Sequence, residues 1–370
     1  MRVLMLSRSD VNEVPGGDTI QMVETKANLE KRGVEVQLGN LQDHPPFSNF
    51  DVIHIFNWQV LEPFLTREKW KPRTDPPIVL SPIFWFHTGH WFEEAASGKW
   101  SWKIIQRGFG PARSQEIYMG WQQIKFRWLE EGKKFKQSLS MIAQLLPNSE
   151  TEIHHLESVL GLNGRLHSYS MVVPNGVVRE LYDPLPPTNL SFQEKYGVNG
   201  FILEVARIQS AKNQAGLILA LFDLDIPIVF VGQPSPYESD YVNRCHKLAE
   251  QRGKVYFTGP LPPHELGSIY ASAAVHVLPS WRETPGLASL EAAAAGCKVV
   301  STSLGSAFDY FGKLAWYCDP SDPNSLRQAV IQALDSPTSN QLRELVLERY
   351  TWEIAAETTL TAYNLAIEKN

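Results

Sequence analysis

Two glutamates, Glu283 and Glu291, flank Pro285-Gly286 in the segment Glu283-Thr-Pro-Gly-Leu-Ala-Ser-Leu-Glu291. A carboxylate pair can serve as the acid and nucleophile of glycoside cleavage, but the surroundings point to a different use. The apolar run 275–278 ends at Pro279-Ser280, and an alanine-rich stretch from Gly286 to Ala295 reads as a helix stopped by Gly296. The N–H groups that open such a helix, those of Gly286, Leu287 and Ala288, make an anion site, and glycine lets a phosphate approach closely. Glu291 falls between one and two turns later, where its carboxylate can accept hydrogen bonds from a diol such as a ribose. Glu283 precedes the helix, toward the other end of such a ligand. Two carboxylates repel a polyanion, so cations must come from elsewhere. Arg207 follows the apolar run 201–206 and Lys212 precedes the next helix, which supplies a planar fork and a point charge for a diphosphate.

Both positions require strands that end on one side of a sheet. The first half of the chain alternates short apolar runs with helical stretches: strands are expected at 3–6, 34–38, 52–56, 78–83, 140–146 and 171–173. Pro15-Gly16-Gly17-Asp18 follows the first strand, and Gly33 is placed to end the first helix. A polar, proline-rich stretch at 183–187 reads as a linker. A second series then begins, with strands expected at 201–206, 228–231, 255–257, 275–278, 298–301 and 314–317, and helices at 213–224, 241–251 and 325–334. A final helix over about 352–368 has no strand after it. Such alternation gives parallel sheets covered on both faces. The expected architecture is two tandem Rossmann-like, doubly wound α/β domains facing a cleft, 1–178 and 188–351, with the C-terminal helix (about 352–370) crossing back to the first.

Bulk properties narrow the partners. At 370 residues the chain is long enough for two cores, and 43% hydrophobic with 20% charged residues suits a globular protein. A net charge of −6 argues against nucleic acid as main partner. Cys245, Cys297 and Cys318 lack metal-ligand spacing and do not suggest a disulfide framework, which fits a reducing cytoplasm. The N-terminus enters a strand directly, so no signal peptide is expected, and no run is long and apolar enough for a transmembrane helix. His154-His155 sits in an expected helix with no other ligand near it in sequence, so no metal role is expected there.

The segment 283–291 resembles the Glu-x7-Glu signature of the family-4 glycosyltransferases, of group 1 type, which share the GT-B fold and retain anomeric configuration. Arg207 and Lys212 match the family's Arg-x4-Lys. Also similar are Pro15-Gly-Gly17, Val173-Pro-Asn-Gly176, Tyr256-Phe-Thr-Gly259 and the helix begun by Trp352. The resemblance covers the chain and is strongest over 201–305. It implies that Glu291 holds the ribose hydroxyls and Glu283 those of the transferred sugar, while Arg207 and Lys212 clamp the leaving diphosphate. Gly259 to Leu261 would line the base, and Gly16 and Gly17 would approach the phosphates. No cofactor is implied beyond the nucleoside diphosphate sugar itself, and no metal. Family members commonly carry a His after the fourth strand, where this chain reads Ser81-Pro-Ile-Phe-Trp85; His87 and His90 follow and are candidates for sugar or acceptor contact.

The expected function is sugar transfer from a nucleoside diphosphate donor to the hydroxyl of a glycan or lipid-linked glycan. The alternatives are an epimerase of the same fold and a non-catalytic nucleotide- or sugar-binding module. Between residues 85 and 136, Lys99, Lys103, Arg107, Arg113, Lys125, Arg127, Lys133, Lys134 and Lys136 alternate with Trp100, Trp102, Trp121, Phe126 and Trp128. Such a mixture suits a solvated helical face, an acceptor-binding edge, or peripheral contact with an anionic membrane at its inner face.

Overall fold

The computed structural model describes residues 1–9, 16–85, 111–188, 192 and 200–369. They divide into two compact units, one built from Met1–Thr88, Ser101–Gly176 and Trp352–Asn370, the other from Val177–Thr351. In the first, β1 (Arg2–Ser7), α1 (Gly17–Glu30), β2 (Glu35–Asn40), β3 (Val52–Phe56), α2 (Trp58–Glu68), β4 (Ile78–Ser81), α3 (Pro111–Trp128), α4 (Glu130–Leu139), β5 (Gln144–Leu145) and α5 (Glu150–Leu160) follow in order. The sheet is parallel, with order β2-β1-β3-β4-β5. The run 171–173, expected as a strand, does not join it as a ladder. The Met171 and Val173 N–H groups donate to Leu145 and Pro147 carbonyls, and only Ser170 forms an isolated bridge to Leu145.

The second unit contains β6 (Ile202–Val205), α6 (Gln214–Ala220), β7 (Ile228–Val231), α7 (Ser239–Arg252), β8 (Val255–Phe257), α8 (Pro263–Ser272), β9 (Val275–Leu278), α9 (Leu287–Ala294), β10 (Val299–Thr302), α10 (Ala307–Phe311), β11 (Trp316–Cys318), α11 (Pro323–Asp335) and α12 (Gln341–Arg349). Its sheet is also parallel, with order β11-β10-β9-β6-β7-β8. Side chains alternate across this sheet as the pleat requires. Leu203, Val229 and Val231 join the core under α8, α9 and α12, and Ile202, Ile228 and Phe230 join the core on the opposite face. The stretch 183–187, expected as a linker, lies within this unit: Tyr182 is buried in its core, and Arg343 on α12 donates to the Tyr182 carbonyl at 2.8 Å.

The last helix, α13 (Trp352–Lys369), returns to the first unit. Its attachment is polar as well as apolar. His54, in the middle of β3 and fully buried, bonds through Nδ1 to the Tyr363 hydroxyl at 2.6 Å and through Nε2 to Ser81 Oγ at 2.9 Å. Burial lowers its pKa to about 3, so the imidazole is neutral, with one nitrogen donating and the other accepting. Tyr363→Phe keeps the ring and removes the hydroxyl, which leaves His54 Nδ1 buried without that partner. A destabilisation of about 1–3 kcal/mol is expected from chemical denaturation of the full chain at pH 7.

Candidate functional site

In open parallel sheets, ligands sit beyond the carboxyl ends of the strands where the strand order reverses. In the second sheet that point lies between β6 and β9. Arg207 and Lys212 lie on the connection leaving β6, and Glu283 on the connection leaving β9. Lys212 Nζ meets Glu283 Oε1 at 2.5 Å; the lysine side chain is one-quarter exposed and the glutamate 8% exposed.

Three connections are joined to hold this pair. The Trp281 N–H donates to the Ala211 carbonyl at 3.0 Å, which ties the β9 loop to the turn carrying Lys212. Glu283 N–H donates to Leu304 and its carbonyl accepts from Ser306, forming a short parallel bridge opposite Gly305, in the loop after β10. Gly305 has φ +113, and a Cβ there would stand 2.1 Å from the Glu283 carbonyl oxygen, so glycine is required for this approach. On the other flank, Gly286 caps α9 with φ +90, and a Cβ would meet Leu278 Cδ2 at 2.7 Å and Glu283 Oε2 at 3.3 Å. The first bonds inside α9 run from the Ser289 and Leu290 N–H groups to the Gly286 carbonyl. The Leu287 and Ala288 N–H groups precede them, at the positive end of the helix and beside the Lys212–Glu283 pair.

Glu291 is on the same helix. Its Oε2 accepts from the Tyr270 hydroxyl at 3.0 Å, and burial pushes its carboxyl up to about 7 against the lowering effect of that bond. Gly259 follows β8 with φ +75, and its carbonyl accepts from Gly232 N–H, so the ends of β7 and β8 are joined as well. Leu261, two residues on, packs against the core beneath α8 and α9.

Gly16 and Gly17 belong to the first unit, at the start of α1. Neither has a positive φ, and Gly16 is extended at φ −131. Space is the constraint at Gly16: a Cβ would stand 2.9 Å from Asp18 Oδ1, whose carboxylate takes the Arg8 guanidinium at 2.6 Å. His87 and His90 lie outside the described residues.

Several groups at the site have little signal in sequence. Glu204, inside β6, is 1% exposed; Gln214 donates to its Oε1 at 2.8 Å and to the Arg207 carbonyl at 3.0 Å. Burial drives the Glu204 carboxyl well above its usual range, with Lys212 opposing the shift. A charged residue inside an apolar strand run was the one available clue. Tyr270 comes from α8, and only folding brings it to Glu291. The Ser280, Ser289 and Ser306 hydroxyls are buried without partners among the described residues.

The chain was compared with known proteins. Residues 189–347 match the family described as glycosyl transferases, group 1. Similar curated proteins include the D-inositol 3-phosphate glycosyltransferase of Corynebacterium urealyticum, 28% identical over 59% of this chain and 56% of that protein. The O-antigen chain mannosyltransferase B of Escherichia coli is 26% identical over 50% of this chain and 51% of that protein. The chain therefore spans about half the length of these relatives. Among solved structures, sucrose-phosphate synthase from Thermosynechococcus elongatus superposes with a TM-score of 0.72 at 15% identity over all of both chains. The Anabaena protein HepE in complex with UDP-glucose gives 0.67 at 16% identity over 98% and 99% of the two chains. These structural likenesses show the fold, which is GT-B.

The Glu291 carboxyl makes the second unit's stability depend on pH. Its folded pKa, about 7, is raised above the ordinary 4.5, so the folded state holds the proton more tightly. The stabilisation from that proton is complete below about pH 4.5 and is lost as pH rises through 7. Glu291→Gln should be more stable than the native chain by about 1–3 kcal/mol at pH 8, with the difference shrinking toward pH 4.5. Parallel denaturation curves across that range would contradict this.

Proposed function

We propose that the chain is a retaining glycosyltransferase that moves a sugar from a nucleoside diphosphate sugar to an acceptor hydroxyl of a glycan or lipid-linked glycan. The carrying observation is the Lys212–Glu283 pair at the β6/β9 reversal point, set beside the open amides of α9 and one to two turns from Glu291. Glycosyl transfer builds positive charge on the sugar ring and negative charge on the departing phosphate. Arg207, Lys212 and the N–H groups of Gly286, Leu287 and Ala288 stabilise the latter, and Glu291 holds the ribose hydroxyls. Glu283 positions the sugar hydroxyls and, before the donor arrives, keeps the Lys212 ammonium oriented and balanced. The backbone from Gly259 to Leu261 lines the base. The acceptor proton passes to the leaving phosphate on the same face of the sugar, so the anomeric configuration is kept. With cations and helix amides supplying the positive charge, transfer needs no divalent ion at the diphosphate. The relatives named for inositol phosphate and mannosyl transfer support sugar transfer, and the HepE complex supports a nucleoside diphosphate sugar as donor.

A membrane-facing edge accompanies this reading. Helix α3 exposes Trp121, Ile124 and Trp128, with Lys125 Nζ 5.3 Å from the Trp121 ring centroid. Not all of the basic residues of this interval serve such a face: Arg127 bonds the Ser158 and Val159 carbonyls, and Lys136 the Leu160 carbonyl, at the end of α5. Exposed tryptophans beside lysine suit the headgroup region of an anionic bilayer. No helix of the described residues is long and apolar enough to cross a membrane. Co-flotation with vesicles containing anionic lipid, lost in Trp121→Ser/Trp128→Ser, is expected at low salt; no flotation would remove membrane contact from the proposal.

For transfer itself, incubation with UDP-, GDP-, ADP- and dTDP-sugars should release nucleoside diphosphate, faster with a suitable acceptor and unchanged when Mg2+ and Mn2+ are withheld. Lys212→Ala should lower kcat by about 10²–10³-fold. Glu291→Ala should instead raise the Kd for the nucleotide about tenfold or more. Proton NMR of the product should show the donor's anomeric configuration. Binding of nucleotides without release of any, or conversion of the donor sugar with no acceptor, would refute the transferase.

A further inference from the structure

On the outer face of α5, Glu150 and His154 stand one turn apart, and the 3-10 turn His167–Tyr169 brings a third group to them. His167 Nε2 is 3.6 Å from Glu150 Oε2, and the His154 and His167 ring centroids are 5.3 Å apart. One ligand atom from each of the three residues lies within 4.8 Å of the others, and all three side chains are exposed. From sequence, His154 had no ligand near it; the loop 161–166 supplies one by folding back along α5.

A second observation fixes how His167 is presented. Its Nδ1 lies 3.4 Å from Glu157 Oε1. Glu157 is itself buried and held by the Gly164 and Leu166 N–H groups at 3.0 and 2.8 Å. A carboxylate facing Nδ1 favours the tautomer whose Nε2 lone pair is open to a ligand; a carboxylate there is the usual outer partner of a metal-binding imidazole. Nε2 is the atom aimed at Glu150.

We propose that Glu150, His154 and His167 form a site for a divalent transition ion of the Zn2+ type, with Glu157 as the positioning residue for His167. Two imidazoles and one carboxylate suit Zn2+, at about 2.0–2.2 Å each, which places tetrahedral ligand atoms about 3.3 Å apart. The 3.6 Å separation is already near that, and rotation of exposed side chains closes the rest. Water completes the fourth position. Metal binding would clip the loop 161–167 to α5.

The test is calorimetric titration of the chelator-stripped, tag-free full chain with ZnCl2, alongside Co2+ absorption spectra. One ion per chain, a tetrahedral Co2+ spectrum and a rise in Tm with Zn2+ are expected. His154→Ala and His167→Ala should each weaken binding at least tenfold, and Glu157→Gln by about 10–100-fold although it is not a ligand. Because Glu157 also holds two backbone N–H groups, Glu150→Gln provides a variant that leaves the loop intact and should weaken binding too. No binding, or binding equal to native in the His154→Ala/His167→Ala double variant, would overturn the site.

Discussion

One partly buried ion pair, Lys212 to Glu283, organises the second unit's strand ends. Setting a glutamate side chain at 8% exposure costs hydration, which the lysine cation and the surrounding backbone offset. The cation comes from the connection after β6, the glutamate from that after β9, and the backbone that fixes the glutamate from that after β10. Each connection is therefore constrained by the other two. Gly286 and Gly305 follow from this demand, since a side chain at either would push on Glu283 or its neighbours.

The first unit solves a related problem with neutral and protonatable groups. Glu152, wholly buried, accepts from the Phe84 and Asn148 N–H groups, both at 2.6 Å, and so joins the chain after β4 to the chain after β5. Burial pushes its carboxyl up to about 7, against both hydrogen bonds. His54 plays the corresponding part for α13, neutral and bonded on both nitrogens. Polar groups thus fix the loop ends and the returning helix, while apolar alternation in the strands fixes the sheets.

Glu291 shows how burial divides labour between two carboxylates of one motif. Glu283 has a lysine against it, whereas Glu291 has a tyrosine hydroxyl and a pKa near 7. In the proposed reaction this suits their separate tasks, one beside the charge that develops and one receiving hydroxyl donors. A glycosidase would instead need the two carboxyls flanking one glycosidic bond.

The alternation of apolar runs with helical stretches determined two parallel α/β sheets, and the strands at 52–56, 228–231, 255–257 and 275–278 have the bounds their apolar residues set, because strands of a parallel sheet covered by helices are largely apolar. The motif spacing likewise put Gly286 before the helix that carries Glu291. Tertiary structure decided what spacing along one chain cannot carry. The run 171–173 is apolar enough for a strand, yet it forms no ladder and the one bridge beside it is made by Ser170; the loop at 183–187 is polar and proline-rich, yet it belongs to the second unit through its neighbour Tyr182 and Arg343. Glu204, Tyr270 and His167 join their clusters from other elements. Local sequence sets periodicity and caps; which charges, hydroxyls and imidazoles become neighbours depends on strand order and loop return, and these exist only once the sheet has formed.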